Sequence, residues 1–544
     1  MARMTGGKAV VKALIGHGVD TIFGLPGVQM DALYNALYDE GNAIRVLHTR
    51  HEQAAGYMAF GYAQASGRVG VFAVVPGPGL LNTTSALATA YACNARVLAV
   101  AGQIPAPLIG RGFGQLHEIP DQLALVRGLT KWARRIDHPS EAPGRLDEAF
   151  RELMSGRARP VEVEIPWDVL ALEAEVAETA AAPADVPPPI DHDRIAEAAK
   201  LIGQARAPLI FVGSGALDAG AEVLALARTI EAPVVANRGG RGVIDDRDYH
   251  ALPHLGGWRL WPGADVVVAI GSRLQVPRTQ WGTDAALKVV HIDIDPTEIT
   301  RVAKPAVGLV GDARAVLAAL IPAVERANRR RESREAEIRG VKAAVIAELD
   351  AKLAPQMAYL RALRRALPEN GILVDELTQV GYLARVAFPI YEPRTFLHSG
   401  YQGTLGFGFA TALGAKVAKP DRPVLSINGD GGFLYNVQEL ASAIKHGIDL
   451  VAVVFVDGAF GNVRRMQREL YGGRVIATEF ANPDFVALAE SFGAAAEKAT
   501  SPEALTAAIA RGFARSGPTL IAVPMGEVPD PWPILVPPRN RPAA

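Results

Sequence analysis

This chain of 544 residues contains a single cysteine, Cys93. An intrachain disulfide is therefore excluded, and a zinc or iron–sulfur site built from cysteines lacks its ligands. A reducing, cytoplasmic setting is the expectation, and Cys93 itself reads as a small buried residue on a helix. Charge of one sign is not in excess either: Lys and Arg total 56 and Asp and Glu 57, a formal net charge of −1. Binders of nucleic acid or anionic membranes normally carry a basic excess. Those classes are set aside, while a local basic pocket for a phosphate ligand stays open. Long apolar runs are missing as well. The strongest, residues 450–456, has strand length and falls far short of the ~18 residues of a membrane span. In residues 8–18 the apolar pattern is cut by Lys12, so no secretory leader is expected there.

What is present is ordinary globular material, with 49% hydrophobic residues, 54 glycines and 38 prolines. At about 150 residues per domain the length allows three or four domains. Three blocks of alternating strand-like and helix-like periodicity follow. In the first, strands over 45–48, 69–75 and 96–101 alternate with helices over 28–39, 52–65 and 80–92. The second has strands over 208–212, 233–236, 265–270 and 288–294 and a helix over 219–230. The third has strands over 372–375, 424–428, 450–456 and 519–524 and helices over 407–418 and 433–446. Continuous apolar strands between helices imply parallel sheets covered on both faces. The fold class expected is α/β, with three doubly wound parallel-sheet domains at 1–174, 191–324 and 356–526. Linkers are expected at 175–190, where Pro187, Pro188 and Pro189 precede Ile190, and at 325–355, which opens on a dense charge run containing Arg329, Arg330 and Arg331. That run reads as a solvated helix face in preference to an anion site. The proline-rich tail 527–544 is expected to lack regular structure and to drape over a surface, with a subunit contact as one option.

The sharpest local signal is Asn428-Gly429-Asp430-Gly431-Gly432-Phe433. Glycines at a strand-to-helix turn let a ligand approach the backbone, and the helix N-terminus offers free N–H groups to an anion. Asp430 is placed to hold a hard cation. The plain alternative is a tight turn with a capping aspartate. The next strand ends in Asp457-Gly458-Ala459-Phe460-Gly461, so Asp430 and Asp457 are expected at the carboxyl ends of successive parallel strands. Ligands bind at that edge of open α/β sheets.

Gly429-Asp430-Gly431 followed after 457 − 430 = 27 residues by a second oxygen ligand and a glycine resembles the cofactor motif of thiamine-diphosphate-dependent enzymes. The resemblance is to the group of acetolactate synthases, pyruvate oxidases, benzaldehyde lyases and 2-oxo acid decarboxylases, and it runs along essentially the whole chain. Matching segments are 23–27, 50–61, 76–82, 291–296, 403–408 and 429–432. It implies a pyrimidine-binding first domain, a central domain and a diphosphate-binding third domain. It also implies Mg²⁺ held by Asp430, Asp457 and the carbonyl of Ala459, with Asp457 standing where the family usually has Asn. Glu52 matches the glutamate that hydrogen-bonds the aminopyrimidine and favours its imino tautomer, a proton exchange suited to a carboxyl in an apolar site. Taken alone, Glu52 is a helix N-terminal acid. Leu405 matches the wedge that bends the cofactor into a V, a role of proximity. Gly403, Thr378, Gln379, Gly429, Gly431, Gly432 and Phe460 match cofactor contacts on the diphosphate side. Pro26, Gly27, Pro78 and Asn82 match the pyrimidine pocket of the other subunit.

Substrate-facing positions are His117, a proton donor or acceptor or else a satisfied loop histidine, and Gln29. Val28 and Val75 are apolar where some decarboxylases use His or Ser, and Met466 reads equally as substrate-facing or core. In the central block Gly213-Ser214-Gly215 and Gly271-Ser272-Arg273 leave FAD, ADP or nothing as options, FAD not favoured. A Rossmann dehydrogenase lacks its acidic ribose partner after Gly213-Ser214-Gly215. The resemblance implies acetolactate-synthase-like carboligation of 2-oxo acids. A decarboxylase or 2-hydroxyketone lyase, a flavin-linked oxidase and a non-catalytic paralogue remain as alternatives. It also implies a homodimer or homotetramer whose sites each use two chains.

Overall fold

The computed structural model describes residues 1–177 and 189–541. Of the linker expected at 175–190, Pro187 and Pro188 lie outside the described residues, and so does Pro542 of the tail. Three six-stranded sheets form, each parallel throughout. Their strands are short apolar runs such as Val266–Ile270 and Val451–Val456, and helices cover both faces. This is the burial pattern that makes a parallel strand continuously hydrophobic.

Strand order places the sites. Counted in chain order within each sheet, the first and third sheets share the order 2-1-3-4-6-5, and the central sheet runs 3-2-1-4-5-6. Each order changes direction beside its first strand, and ligands bind in α/β sheets at the carboxyl end of such a switch point. In the third sheet that point lies between Ile372–Asp375 and Val424–Gly429, in the first between Thr21–Gly24 and Gly70–Val74, and in the central sheet between Pro208–Val212 and Val266–Ile270.

The first and third domains share one core cluster. Helix Glu52–Ser66 lies against helix Phe407–Ala418, and both are rich in Ala and Gly. A Cβ on Gly61 would collide with the carbonyl of Thr411, and one on Gly414 with that of Met58. Glycine at these positions brings the backbones into contact.

Several expectations are corrected. Residues 80–92 form two helices, Pro78–Asn82 and Thr84–Ala92, separated at Thr83, whose N–H and hydroxyl both donate to the Leu80 carbonyl at 3.0 and 2.7 Å. The helix expected over 433–446 is Asp430–Phe433 followed by Glu439–His446. Residues 28–39 begin as a 3₁₀ turn, Val28–Met30, before helix Asp31–Asp39. Three strands of the first sheet had no expectation, among them Val161–Pro166, whose alternating Glu162 and Glu164 disguise a fully buried strand.

The segment 325–355 is largely the helix Glu335–Lys352. Most of its charge run is the solvated face expected, with Glu325, Arg326, Arg329, Arg330, Glu332, Glu337 and Arg339 exposed, whereas Arg331 and Arg334 are half-buried. Arg331 donates to the carbonyls of Ala205 at 2.7 Å and of Ile202 and Gly203 at 3.0 Å, and Arg334 to that of Pro208 at 2.9 Å. Most of these carbonyls end helix His192–Gln204 and need donors. The tail contains one helical turn, Trp532–Leu535, and then docks on its own central domain. Arg541 bonds Asp284 at 2.7 Å and the carbonyls of Trp261 and Ala264 at 2.9 and 2.8 Å.

Candidate functional site

At the switch point of the third sheet, loops after three neighbouring strands enclose a cavity of about 500 Å³. Thr378 and Gln379 follow the first strand, Gly429 to Gly432 end the second, and Asp457, Ala459 and Phe460 follow the third. Gly403 and Leu405 enter from the loop before helix Phe407–Ala418. Thr378 caps helix Gln379–Ala387 by accepting the Gly381 N–H at 2.8 Å, and the buried Gln379 Oε1 has no partner. The glycine cradle is tight at two of its glycines: a Cβ on Gly431 would lie 2.9 Å from the Phe460 ring, and one on Gly432 would collide with Glu376.

Asp430 is buried and its carboxylate is well supplied. Oδ1 accepts the Gly431 N–H at 2.9 Å, while Oδ2 accepts the N–H groups of Asp457 at 3.1 Å and Gly458 at 2.7 Å and the Asn482 amide at 2.7 Å. Asp457 stands close to it. Burial and then the like charge of Asp430 push the Asp457 carboxyl up to about 6. Over the pair folds the segment 478–482: Phe460 donates its N–H to the Thr478 carbonyl at 2.8 Å, and Phe480 stacks edge-on to Phe460 with ring centroids 5.1 Å apart.

Beneath the cavity lies Glu376, fully buried, which burial pushes up to about 8. It accepts the Gly406 N–H at 2.5 Å, while Asn436 donates to the Gly406 carbonyl at 2.6 Å. The turn carrying Leu405 is held from both sides, with Gly403 and Gly406 at φ +58° and +81°. Glu376, Asn436 and Asn482 escaped the sequence reading, since their partners are distant in the chain and no local motif marks them.

The first domain gathers its expected residues at its own switch point. Asn82 donates to Glu52 Oε2 at 3.0 Å. Pro26, Pro78 and Asn82 are exposed, and Gly27 packs so tightly on Val75 that a Cβ would lie 2.5 Å from it. Gln29, buried, donates to the Leu116 carbonyl at 2.9 Å and so fixes the loop carrying His117. His117 has φ +69°, and its Nδ1 and Gln29 Oε1 are both buried without partners. Val28 and Met466 are exposed, which removes the core reading of Met466. None of these first-domain residues lines the diphosphate-side cavity, whose walls come from the third domain.

The central switch point opens into a larger cavity of about 740 Å³, lined from all three domains, that includes Ser214, Gly271, Ser272 and Arg273. Arg157, Arg238 and Arg394 also face it. Cys93 sits in its wall as the residue capping helix Thr84–Ala92, and burial pushes its thiol up to about 12.

Comparison with known proteins now bears on these three sites. Residues 4–125 match the family described as thiamine pyrophosphate enzyme, N-terminal TPP binding domain. Residues 195–320 match its central domain and residues 378–523 its C-terminal TPP binding domain. A protein of Methanocaldococcus jannaschii named "Probable acetolactate synthase large subunit" is 37% identical, over 99% of this chain and 94% of its own length. The "Acetolactate synthase large subunit" of Corynebacterium glutamicum is 34% identical, over 98% and 88%. A Pseudomonas aeruginosa protein named "Probable 2-ketoarginine decarboxylase" is 35% identical, over 95% and 93%. Among the described residues no helix is long and apolar enough to cross a membrane.

Proposed function

The chain belongs to the thiamine pyrophosphate enzymes, and on that footing we propose that it is an acetolactate-synthase-like carboligase, dependent on thiamine diphosphate and Mg²⁺. It would remove CO₂ from a 2-oxo acid and join the remaining acyl unit to a second carbonyl compound. The observation that carries this is the pair Asp430 and Asp457, two acids side by side above a glycine cradle, with Asp457 pushed up by its neighbour's charge. A divalent cation with hard-oxygen preference relieves that repulsion, and its remaining positions suit diphosphate oxygens and water. The residues present therefore fit both groups.

Thiamine diphosphate, when bound, supplies the nucleophilic carbon and the electron sink that C–C cleavage beside a carbonyl requires. The chain's own residues do the rest. Asp430, Asp457 and the Ala459 carbonyl hold the cation, and Gly429 to Gly432 admit the diphosphate to the backbone. Leu405 and Phe460 shape the cavity for the ring system, flanked by Thr378, Gln379 and Gly403. Glu52 holds a proton at the aminopyrimidine, kept in place by Asn82, while Pro26, Gly27 and Pro78 border that ring. Gln29 and His117 border the substrate. Because the 500 Å³ cavity is walled by the third domain and Glu52 lies apart from it, a homodimer or homotetramer with two-chain sites fits best.

Two other readings have support. The Pseudomonas relative's name favours a decarboxylase that protonates the acyl unit and adds it to nothing. The central cavity, faced by several arginines, suits a phosphate-bearing group such as FAD or ADP, and a flavin absorbance in purified protein would raise the oxidase reading. A non-catalytic role is opposed by Glu52, Leu405 and Asp430 standing together in one chain. The test is a panel of 2-oxo acids and acyloins with added cofactor and Mg²⁺, with C–C products identified by mass spectrometry. Acetohydroxy-acid products support carboligation, and aldehydes alone replace it with decarboxylation.

A further inference from the structure

Glu439 is a buried acid that the functions assigned above do not use. It opens helix Glu439–His446 and is 0% exposed. Its carboxylate is spent on the first domain. Both oxygens accept the Arg50 N–H at 3.1 Å, Oε1 also accepts the His51 N–H at 3.1 Å, and Ser442 donates its hydroxyl to Oε2 at 2.5 Å. A buried carboxylate is expensive unless it is hydrogen-bonded this fully.

The loop it grips is residues 49–51, between strand Arg45–His48 and helix Glu52–Ser66. His51 caps that helix, its Nδ1 accepting the Gln53 N–H at 3.1 Å. The other end of the same third-domain helix touches the strand: His446 Nε2 meets the His48 carbonyl at 3.1 Å, and Arg45 donates to the His446 carbonyl at 3.3 Å. The backbone leading into Glu52 is thus clasped at both ends by a helix that follows the glycine cradle by a few residues.

We infer that Glu439 is a positioning residue for Glu52: by accepting the N–H groups of Arg50 and His51 it fixes the entry of the Glu52 helix, and with it where the Glu52 carboxyl meets the aminopyrimidine. This rests on the reading of Glu52 given above. The alternative is a staple between domains with no bearing on Glu52. A staple lowers stability when cut; a positioning residue loses its effect once Glu52 is gone.

The experiment is a double-mutant cycle with Glu439→Gln and Glu52→Gln in the full chain. Three quantities are read: amide hydrogen exchange of residues 49–53 without cofactor, the dissociation constant of thiamine diphosphate in Mg²⁺ by calorimetry, and deuterium exchange at C2 of the bound cofactor. Glu439→Gln keeps the shape and removes one acceptor. It should speed amide exchange at Arg50 and His51 by about tenfold and slow C2 exchange by about tenfold, a hydrogen bond to a charged group being lost. The cofactor's dissociation constant should stay close to wild type. In the Glu52→Gln background the same substitution should have no further effect on C2 exchange. An equal slowing in both backgrounds overturns the inference, as does unchanged C2 exchange in Glu439→Gln where Glu52→Gln is slow. Unchanged C2 exchange in Glu52→Gln overturns the underlying reading along with it. Should Glu439→Gln fail to fold, Glu439→Asp, which keeps the charge and draws it back from the loop, enters the same cycle with the same criteria.

Discussion

Asp430 and Asp457 end neighbouring parallel strands, and Asp430 Oδ2 accepts the backbone N–H of Asp457 at 3.1 Å. The contact brings a buried acid and a half-buried one together, and their like charge helps push Asp457 up to about 6. Added Mg²⁺ should therefore raise the melting temperature of the cofactor-free protein. Asp457→Asn removes one charge, so the metal-free variant should melt higher than wild type while its Mg²⁺ affinity falls about tenfold, since a carboxamide is the weaker ligand for a hard cation. Thermal scans with and without EDTA check both.

Leu405 projects from a turn that Glu376 and Asn436 hold at Gly406. Its task is to set ring geometry, so Leu405→Ala should leave thiamine diphosphate binding nearly unchanged and lower kcat by about 100-fold, the scale of an ångström of misplacement. Calorimetry and steady-state rates separate the two.

The diphosphate-side cavity and Glu52 lie apart within one chain. Glu52→Gln and Asp430→Ala chains should each be inactive alone, while co-expressed chains should regain activity, because one site of each mixed dimer pairs an intact Glu52 with an intact Asp430. Absence of rescue in verified mixed dimers would place both halves of the site in one chain.

Much of this arrangement was legible in the sequence because it is local. The Asn428–Phe433 turn announces itself by three glycines around an acid, and parallel strands such as Val451–Val456 by uninterrupted apolar residues. What stayed hidden depends on partners far along the chain. Glu439 meets residues 388 and 389 positions away, and Glu376 reads as one more acid after a strand. The apolar spacing of 433–446 suggested one helix, yet residues 434–438 break out of it, which lets Asn436 reach Gly406. Arg331 looked solvated because the helix end whose carbonyls it satisfies lies more than 120 residues earlier.

Glu162 offers a test of the fold away from the site. It is fully buried, neither oxygen has a hydrogen-bond partner, and burial followed by the charge of Glu164 raises it well above the usual 4.5. The native state therefore binds more protons than the unfolded state at pH above 4.5, and stability falls as pH rises toward the raised value. Glu162→Gln should raise the melting temperature by about 3 °C or more at pH 8 and have little effect near pH 4.5. A pH-independent effect would contradict the burial of an ionisable carboxyl there.

Cofactor dependence through Glu52 is the claim on which the functional account stands. It is tested by dialysing the protein against EDTA and measuring CO₂ release from the 2-oxo acid panel, with thiamine diphosphate and Mg²⁺ returned singly and together, for wild type and Glu52→Gln. The account predicts release only when both are present, and a loss in Glu52→Gln of about 100-fold or more in kcat/KM, the scale of a positioned proton-transfer group. Release without the cofactor, or equal rates for the two proteins, would contradict it.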